Sequence, residues 1–483
     1  MPTIRTMLFL LTFPIGFMGI VQLFFYLEAY IFDSELQNAF LNLSFAYFGM
    51  AALTYLFGRN VDTSAIRYRH TLLFASSAWI VMGLLGSGPI YLVANVSLTD
   101  AVFESISGLT TTGATILSGL DEMPKSFLLY RQFLQWMGGL GIVIFVVAIL
   151  PVLNVGGMKL LRAETPGPMK NEKLSPRIID TAHYLWIVYI VLTILCAVSY
   201  YFAGMTGFDA VAHAFSTIST GGFSTHDASM GYFNSSLILA VSDIFMLLGA
   251  ISFALHFKIW RHINLPLYWQ EEETRSFIII VALFSIIAFL MLVHEYPSMD
   301  TLTATSSAIF HIISFITSTG FGAGNFTEWP AELQLILIIA GYFGGCAGST
   351  AGGNKIIRNI ITVKSIGREF KKLVHPAGIY HVKFNGNVIG DSILHATMAF
   401  MFISAIITSV FTVVMMSTGL DFWSSFSSVA TCINVLGPAF GELSSNFQPV
   451  SDTGIWVLSF LMLLGRLEYF TFLAIILPAF WKA

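Results

Sequence analysis

Charged side chains are scarce in this sequence. Aspartate, glutamate, lysine and arginine together make up 10% of its 483 residues, whereas a soluble domain carries about 25%. So few charges cannot cover a water-soluble surface, and the net charge of -4 gives no sign of nucleic-acid binding. Cysteine is also rare. Cys196, Cys346 and Cys432 lie far apart in apolar surroundings, which indicates neither a disulfide framework nor a metal cluster.

Long apolar stretches take the place of the missing charge. Hydrophobic residues make up 56% of the chain, and its mean hydropathy is +0.77. A transmembrane helix needs about 20 apolar residues. The apolar stretch that begins at Met7 is similar to a signal peptide. It is not followed by a small-residue cleavage site, so we interpret it as a retained transmembrane helix. The sequence therefore predicts an all-α polytopic membrane protein in a lipid bilayer. Ten stretches qualify as spans: 7–27, 38–57, 71–95, 128–153, 181–204, 235–258, 276–294, 332–362, 392–418 and 453–480.

Lysine and arginine are concentrated in alternate connections between these stretches. Because basic residues stay on the cytoplasmic side of a membrane, this alternation predicts that both termini are cytoplasmic. Three basic residues lie outside this pattern: Lys125, Arg131 and Arg466. All the other lysines and arginines lie near the termini or in the predicted cytoplasmic stretches 59–69, 159–177, 258–275 and 355–383.

A hydroxyl-rich turn with a glycine recurs in the four outward-facing connections. The first two connections begin Asp-Ala-Val, and each reaches its glycine, Gly113 or Gly222, 13 residues after the aspartate. The third contains Ser-Thr before Gly320, whereas the fourth has Asn-Val-Leu before Gly437. Each turn follows a short semi-polar segment and lies between two apolar stretches. The pattern is therefore an internal repeat.

The short segment before each turn is typical of a re-entrant pore helix. About 12 helical residues measure roughly 18 Å, which is too short to cross the bilayer. Non-helical backbone at membrane depth persists only where it lines water or is buried in protein. The carbonyls of such a turn, together with the negative end of the helix dipole, can replace the hydration shell of a cation. Glycine is needed because a side chain would obstruct this backbone conformation.

The repeats divide the chain into five parts. We predict four units of helix, re-entrant pore loop and helix around one pore for a monovalent cation, preceded by two extra transmembrane helices. The predicted boundaries are 1–70 for the two extra helices and 71–165, 166–265, 266–385 and 386–483 for the repeats, of which the third has a broken second helix.

These motifs resemble the Trk/Ktr/HKT superfamily of potassium transporters, and within it the TrkH type. The resemblance covers nearly the whole chain. It rests on the four glycines, on Gly-Ser-Thr-Ala-Gly-Gly-Asn-Lys at 348–355 and on Gly-Arg-Leu-Glu at 465–468. It implies potassium uptake across the bacterial inner membrane, a homodimer and a cytoplasmic nucleotide-binding regulatory subunit of the TrkA type. The chain has no nucleotide-binding fingerprint of its own, so we expect no bound cofactor and regard potassium as the substrate.

The resemblance assigns potassium binding to the four turns. Glycine at all four positions favours potassium and rubidium over sodium, and the ligands are expected to be the carbonyls just before each glycine. The predicted site residues are Thr111, Thr112, Gly113, Thr220, Gly221, Gly222, Ser318, Thr319, Gly320, Val435, Leu436 and Gly437.

A cluster of glycines interrupts the eighth apolar stretch. Each glycine inside a helix costs about 1 kcal/mol relative to alanine, so residues 344–353 are predicted to form a loop beside the pore. The alternative is that the small residues only permit close helix packing. The resemblance implies a movable gate under the filter, released when the regulatory subunit pulls the cytoplasmic end of the helix. The predicted gate residues are Gly344, Gly345, Gly348, Ser349, Thr350, Gly352, Gly353, Lys355 and Arg466.

Arg466 lies inside the last apolar stretch, where a charge costs at least about 2.5 kcal/mol. It either pairs with Glu468 or snorkels to the interface, or it faces the pore below the turns, which the resemblance favours. His213 and His311 are expected to pack or form hydrogen bonds behind the turns, since their spacing is not that of metal ligands.

Four aspartates open the outer segments. Carboxylates at these positions cap the pore helices, attract cations to the outer mouth, or do both. The four residues are Asp100, Asp209, Asp300 and Asp421.

Two other classes of function compete with a channel-like pore. A secondary transporter that couples sodium or protons to cation uptake also uses broken helices at mid-membrane. Such proteins usually have inverted repeats, whereas these four run in the same sense. An intramembrane enzyme would need a nucleophile and base or metal ligands, for which the stretch 346–351 is the only candidate. It forms no convincing set, so we do not expect an enzyme.

Overall fold

Two helices open the chain and pack against each other and against the first repeat. The computed structural model describes residues 2–61, 68–139, 141 and 178–482. Helix α1 spans Pro2–Phe32, and α2 spans Gln37–Gly58. Both expose large apolar side chains, such as Ile31 and Phe57, which lipid can solvate. The predicted pair of extra helices is therefore confirmed.

Each repeat begins with a long membrane-spanning helix and continues with a short one. The four long helices and α1 and α2 are the six helices in the described part of the chain that are long and apolar enough to cross a membrane. This confirms the predicted all-α architecture. The long helices are α3 (Tyr68–Val93), α6 (Ile178–Phe202), α11 (Glu272–Glu295) and α15 (Asp391–Met416). The short ones, the pore helices, are α4 (Leu98–Leu109), α7 (Gly207–Ile218), α12 (Thr301–Ile316) and α16 (Phe422–Asn434).

Polar side chains determine where the pore helices begin. Asp300 and Asp421 cap α12 and α16 by accepting backbone N–H groups of the first turn. Ser97 and Thr206 cap α4 and α7 instead, and each accepts the N–H of the predicted aspartate at 3.1 Å. The predicted capping role is therefore wrong in the first two repeats, because a hydroxyl three residues earlier occupies the N-cap.

The second helix of every repeat ends close to the end of the pore helix. A glycine one or two residues before each end makes this approach possible. A Cβ on Gly138 would lie 1.7 Å from the carbonyl oxygen of Leu109, and one on Gly465 would lie 2.1 Å from that of Ile433. The four helices are α5 (Lys125–Gly139), α8 (Ser236–Ala250), α13 (Ala331–Phe343) and α17 (Asp452–Arg466).

The continuous second spans predicted for repeats two and four are wrong. Helix α8 meets α9 (Phe253–His262) at 97°, and α17 meets α18 (Glu468–Ile476) at 114°. The N–H of Phe253 donates to Gly348 at 3.0 Å rather than continuing α8. Glu468 has a left-handed φ of 54°, which ends α17.

The glycine-rich break predicted in the third repeat is present. Residues 344–355 separate α13 from α14 (Ile356–Val374). The remainder of the predicted span 128–153 beyond residue 141 and the basic stretch 159–177 lie outside the described residues, so the boundaries between repeats stay a prediction.

A small hairpin follows α14. Strands β1 (Lys383–Phe384) and β2 (Asn387–Val388) are antiparallel, and the apolar side of the hairpin packs against Ile357 and Ile361 of α14. Two short helices complete the described chain, α10 (Leu267–Gln270) and α19 (Pro478–Lys482).

Candidate functional site

All four pore helices end in the same backbone turn. In each, the residue two positions before the glycine has a left-handed φ between 52° and 60°, which is strained for β-branched residues. The next N–H returns to the carbonyl five residues earlier, at 2.8–2.9 Å. The fourth repeat has the same turn although its Asn-Val-Leu sequence differs. Four copies of one strained conformation point to a functional demand. The left-handed residues are Thr111, Thr220, Ser318 and Val435.

The four turns meet in a closed ring. A Cβ on Gly113 would lie 2.1 Å from the carbonyl oxygen of Gly221, in the next repeat. The same relation joins Gly222 to the Thr319 oxygen at 1.9 Å and Gly320 to the Leu436 oxygen at 2.0 Å. Gly437 then closes the circle against the Thr112 oxygen at 2.7 Å. Each glycine is thus packed against a carbonyl of the following repeat, and all twelve predicted site residues belong to this ring.

The carbonyl ring, defined by the oxygens of Thr112, Gly221, Thr319 and Leu436, is suited to a dehydrated cation. Neutral carbonyl dipoles can replace water around a monovalent ion, and four pore helices direct their negative C-terminal ends towards the same place. All four residues that supply the oxygens are buried.

A buried ion pair behind the ring joins the first two repeats, and the sequence analysis missed it. Arg131 Nε donates to Glu104 at 2.9 Å, and the guanidinium lies 4.2 Å from the centre of the Phe223 ring. Glu104 also accepts the N–H of Ile116 at 3.0 Å. One feature of the sequence could have indicated this ion pair: Arg131 is one of three basic residues that lie outside the predicted cytoplasmic stretches.

Gln135 supports the second turn directly and was also missed. Its Oε1 accepts the N–H of Phe223 at 3.0 Å, so its Nε2 is directed to the carbonyl of Gly221, 2.5 Å away. One of the four ring oxygens therefore already accepts a hydrogen bond from a side chain. The spacing of the glutamines in this helix does not by itself indicate such a contact.

The two pore-helix histidines have the predicted structural role. His213 Nδ1 bonds to the Asp209 carbonyl, and its Nε2 bonds to Ser224 Oγ, both at 2.9 Å. His311 bonds to the Ser307 carbonyl at 2.8 Å and accepts the N–H of Ala323 at 3.3 Å. Both side chains are fully buried and bond to the irregular segment that follows each turn.

The loop 344–355, which we call the gate loop, touches the ends of three pore helices. Thr350 Oγ1 donates to the Ile218 carbonyl at 3.0 Å, and the N–H of Gly353 donates to Asn434 at 3.1 Å. The N–H of Gly352 donates to Ser318 Oγ at 2.5 Å. The loop therefore lies next to the second, third and fourth turns.

Glycine permits this fit. A Cβ on Gly352 would lie 2.2 Å from the Asn434 oxygen, and one on Gly344 would lie 2.4 Å from the Gly352 oxygen. The predicted loop is therefore confirmed, and the alternative of helix packing alone is wrong, because residues 344–355 are not helical. The predicted gate residues from Gly344 to Lys355 all lie in this loop, where the buried Lys355 ammonium donates to the Ala351 carbonyl.

Glu273 and the end of α8 hold the other side of the gate loop. Glu273 Oε1 accepts the N–H of Ala347 at 2.7 Å and that of Ile357 at 3.1 Å. One carboxylate is therefore hydrogen-bonded to both the loop and the start of α14. The N–H of Cys346 donates to the Ala250 carbonyl at 2.8 Å. The sequence analysis did not identify Glu273.

Arg466 connects the gate loop to the first repeat. Its Nη1 donates to Thr111 Oγ1 and to the Thr350 carbonyl, both at 3.1 Å, and its Nη2 donates to the Gly139 carbonyl at 2.8 Å. Glu468 forms an ion pair with Arg358 at 2.8 Å. The Arg466 guanidinium thus lies beside the first turn and the loop, and its position facing the pore stays a prediction.

A polar cluster links the segments of the first two repeats that are predicted to face outwards. His226 Nδ1 lies 2.5 Å from Asp121 Oδ1, and its Nε2 lies 3.4 Å from Asp209 Oδ1. Burial lowers the pKa of His226, but hydrogen bonds and charge from Asp209 and Asp121 outweigh it, so the pKa is raised. Asp227 accepts the N–H of Gly119 at 2.9 Å. Of the predicted acidic residues, Asp209 is therefore partly neutralised at the outer mouth.

Known proteins match both the sequence and the fold. The family model described as TrkH, cation transport protein, matches residues 36–481. The chain is 45% identical to the Trk system potassium uptake protein TrkH of Vibrio parahaemolyticus, over 86% of this chain and 87% of that protein. It is 40% identical to TrkH of Escherichia coli K12, over 94% and 95% respectively. The crystal structure of the potassium transporter TrkH from Vibrio parahaemolyticus matches with a TM-score of 0.88 and 39% identity, covering 99% of both chains.

Proposed function

Because the chain belongs to the TrkH family of cation transport proteins, we propose that it takes up potassium through the pore that its four repeats surround. The relatives described above are named as potassium uptake proteins. The observation that carries the proposal is the carbonyl ring, in which each repeat contributes one oxygen next to the glycine of its neighbour. A ring of this kind selects by replacing the hydration shell of the ion. The proposed ligands are the carbonyls of the two residues before each glycine.

The gate loop and Arg466 are the proposed barrier below the ring. Residues 344–353 bond to three pore helices, and the guanidinium places a positive charge beside the first turn. Opening requires that these hydrogen bonds break. Helix α14 is proposed to transmit the opening movement, because Glu273 accepts the N–H of Ile357 in α14 and that of Ala347 in the gate loop. A nucleotide-binding regulatory subunit of the TrkA type would act on the cytoplasmic end of α14.

The proposed setting is the bacterial inner membrane, with the protein as a homodimer and both termini in the cytoplasm. Coupling of uptake to sodium or protons remains the competing proposal for energetics. Flux into liposomes under imposed gradients of these ions separates the two: a passive pore follows the potassium gradient alone, whereas a symporter accumulates potassium against it.

Growth of a bacterium that lacks its own potassium uptake systems tests the function. We expect the intact chain to restore growth at low potassium and to restore uptake of rubidium. Gly222→Val, which would place a branched side chain against the Thr319 carbonyl, should abolish both without loss of membrane expression. Absence of rescue by the intact chain, expressed with its regulatory subunit and found in the membrane, would refute the proposal.

A further inference from the structure

A cavity of about 300 Å³ lies between the two ends of the chain, remote from the pore. Its walls come from the start of α1, the start of α3 and the C-terminal α19. Apolar side chains dominate these walls, among them Met7, Leu8, Leu73 and Trp481. A space of this size and lining can take a hydrocarbon chain.

Two basic residues form the polar part of the cavity wall, Arg69 and His70. The Nε of Arg69 is buried and has no hydrogen-bond partner among the described residues. A buried N–H without an acceptor is destabilising, and guanidinium is the side chain best matched to a phosphate group. None of the described residues that line the cavity is acidic. This wall therefore has the chemistry of a site for an anion.

The cavity lies at the ends of the apolar helices α1 and α3, where we expect the boundary between lipid and water. The ends of α1, α2 and α3 that meet here carry Arg5, Arg59 and Arg69, which mark this boundary as the predicted cytoplasmic one. Trp481 is 59% exposed and donates its indole N–H to the Ile475 carbonyl at 2.9 Å. Tryptophan at such a position is typical of the membrane interface.

We propose that this cavity binds one anionic phospholipid, with the phosphate on Arg69 and the beginning of an acyl chain against Met7, Leu8 and Leu73. Basic pockets between helices on the cytoplasmic side are suited to anionic headgroups. The apolar walls favour a lipid over inorganic phosphate, which would leave them unfilled. The bound lipid would join the first helices to the segment that follows Arg466, since α18 packs on α3.

Native mass spectrometry of the full chain, titrated with phosphatidylglycerol, measures the affinity. We expect one tightly retained lipid per chain and about tenfold weaker binding to Arg69→Gln. Arg59→Gln is the matched control, because Arg59 is exposed at the same membrane face and does not line the cavity. Equal affinity in the two variants, or equal retention of phosphatidylcholine, would overturn the proposal.

A second pair of measurements does not depend on the arginine variant. A phosphatidylglycerol with a photoreactive acyl chain should label peptides that contain residues 4–8, 69–73 or 480–481 in the unmodified protein, and Leu73→Trp should reduce that labelling by filling the cavity. Labelling confined to other segments contradicts the site. Inorganic phosphate should leave the melting temperature unchanged, and stabilisation equal to that by the lipid would show a plain anion site instead.

Discussion

Arg466 and Thr111 are joined by a hydrogen bond of 3.1 Å between Nη1 and Oγ1, which connects the last repeat to the first at the end of its pore helix. The same nitrogen reaches the Thr350 carbonyl of the gate loop, also at 3.1 Å. A single guanidinium of the fourth repeat therefore contacts both the first turn and the proposed gate. The positive charge of this guanidinium would repel a cation that lies beside the first turn.

Removal of this charge should speed conduction. We expect Arg466→Ala to raise potassium flux in liposomes by about tenfold, which corresponds to a barrier lower by about 1.4 kcal/mol. Arg466→Lys keeps the charge and should stay close to the parent. A correctly folded Arg466→Ala with the parent's flux would show that the arginine serves only to pair with its neighbours.

Serine at the first ring glycine should weaken selectivity. Gly113 has a φ of 81°, and a Cβ there would lie 2.1 Å from the Gly221 oxygen, so Gly113→Ser must displace a ring carbonyl. The permeability ratio of potassium to sodium, from reversal potentials or paired isotope fluxes, should fall several-fold. Gly119→Ser is the control, because Gly119 has a φ of 76° with open space around its Cβ. Loss of selectivity in both variants would exclude ring geometry as the cause.

Shortening the gate loop should open the pore. We expect deletion of residues 347–350 to raise basal flux and to reduce its dependence on the regulatory subunit. Thr350→Val is a milder version, since it removes the hydroxyl that donates to Ile218 and Gly249 at 3.0 and 2.9 Å. Ser349→Ala is its control, because the Ser349 hydroxyl donates only to Cys346 within the loop. The gate is disproved if the deletion variant reaches the membrane and conducts as the parent does.

Gln135→Leu should destabilise the second turn. The N–H of Phe223 would lose its acceptor, which costs about 1–3 kcal/mol for a buried group, and the Gly221 oxygen would lose its donor. A lower melting temperature and altered discrimination between potassium and rubidium are expected. Gln132→Leu, which loses one bond of 3.3 Å to the Phe223 carbonyl, should have the smaller effect. The reverse order would argue against a direct role for Gln135.

Stability of the outer segments should depend on pH through His226. Because its pKa is raised in the folded protein, its contribution is complete below the unfolded value of about 6.5. That contribution is lost as the pH rises through the higher folded value. The melting temperature of His226→Gln relative to the parent should therefore be lowest near pH 6, and the difference should shrink towards pH 9. A difference that is constant across this range would contradict the prediction.

The four turns could be predicted from the sequence because each is local in the chain. Gly113, Gly222 and Gly320 follow hydroxyl-rich residues at similar spacing, and the glycine cluster near 344–353 is visible in one stretch. The bends after Ala250 and Arg466 were missed because the residues that follow each of them are still mostly apolar, and because the breaks depend on contacts with other segments. Gln135 and Glu273 were missed for the same reason, because their partners lie more than 70 residues away in the chain.

The carbonyl ring is built from four different residues of one chain, and each of its four carbonyl positions can therefore be changed separately. Only the Gly221 oxygen receives an amide hydrogen bond from Gln135, which draws electron density away from that position. We expect the preferred ion position to lie off the central axis, shifted away from Gly221 towards Leu436, whose carbonyl is opposite in the order of the ring. In a pore made from four identical chains, each mutation alters all four carbonyl positions at once. In this chain, one substitution alters only one of them.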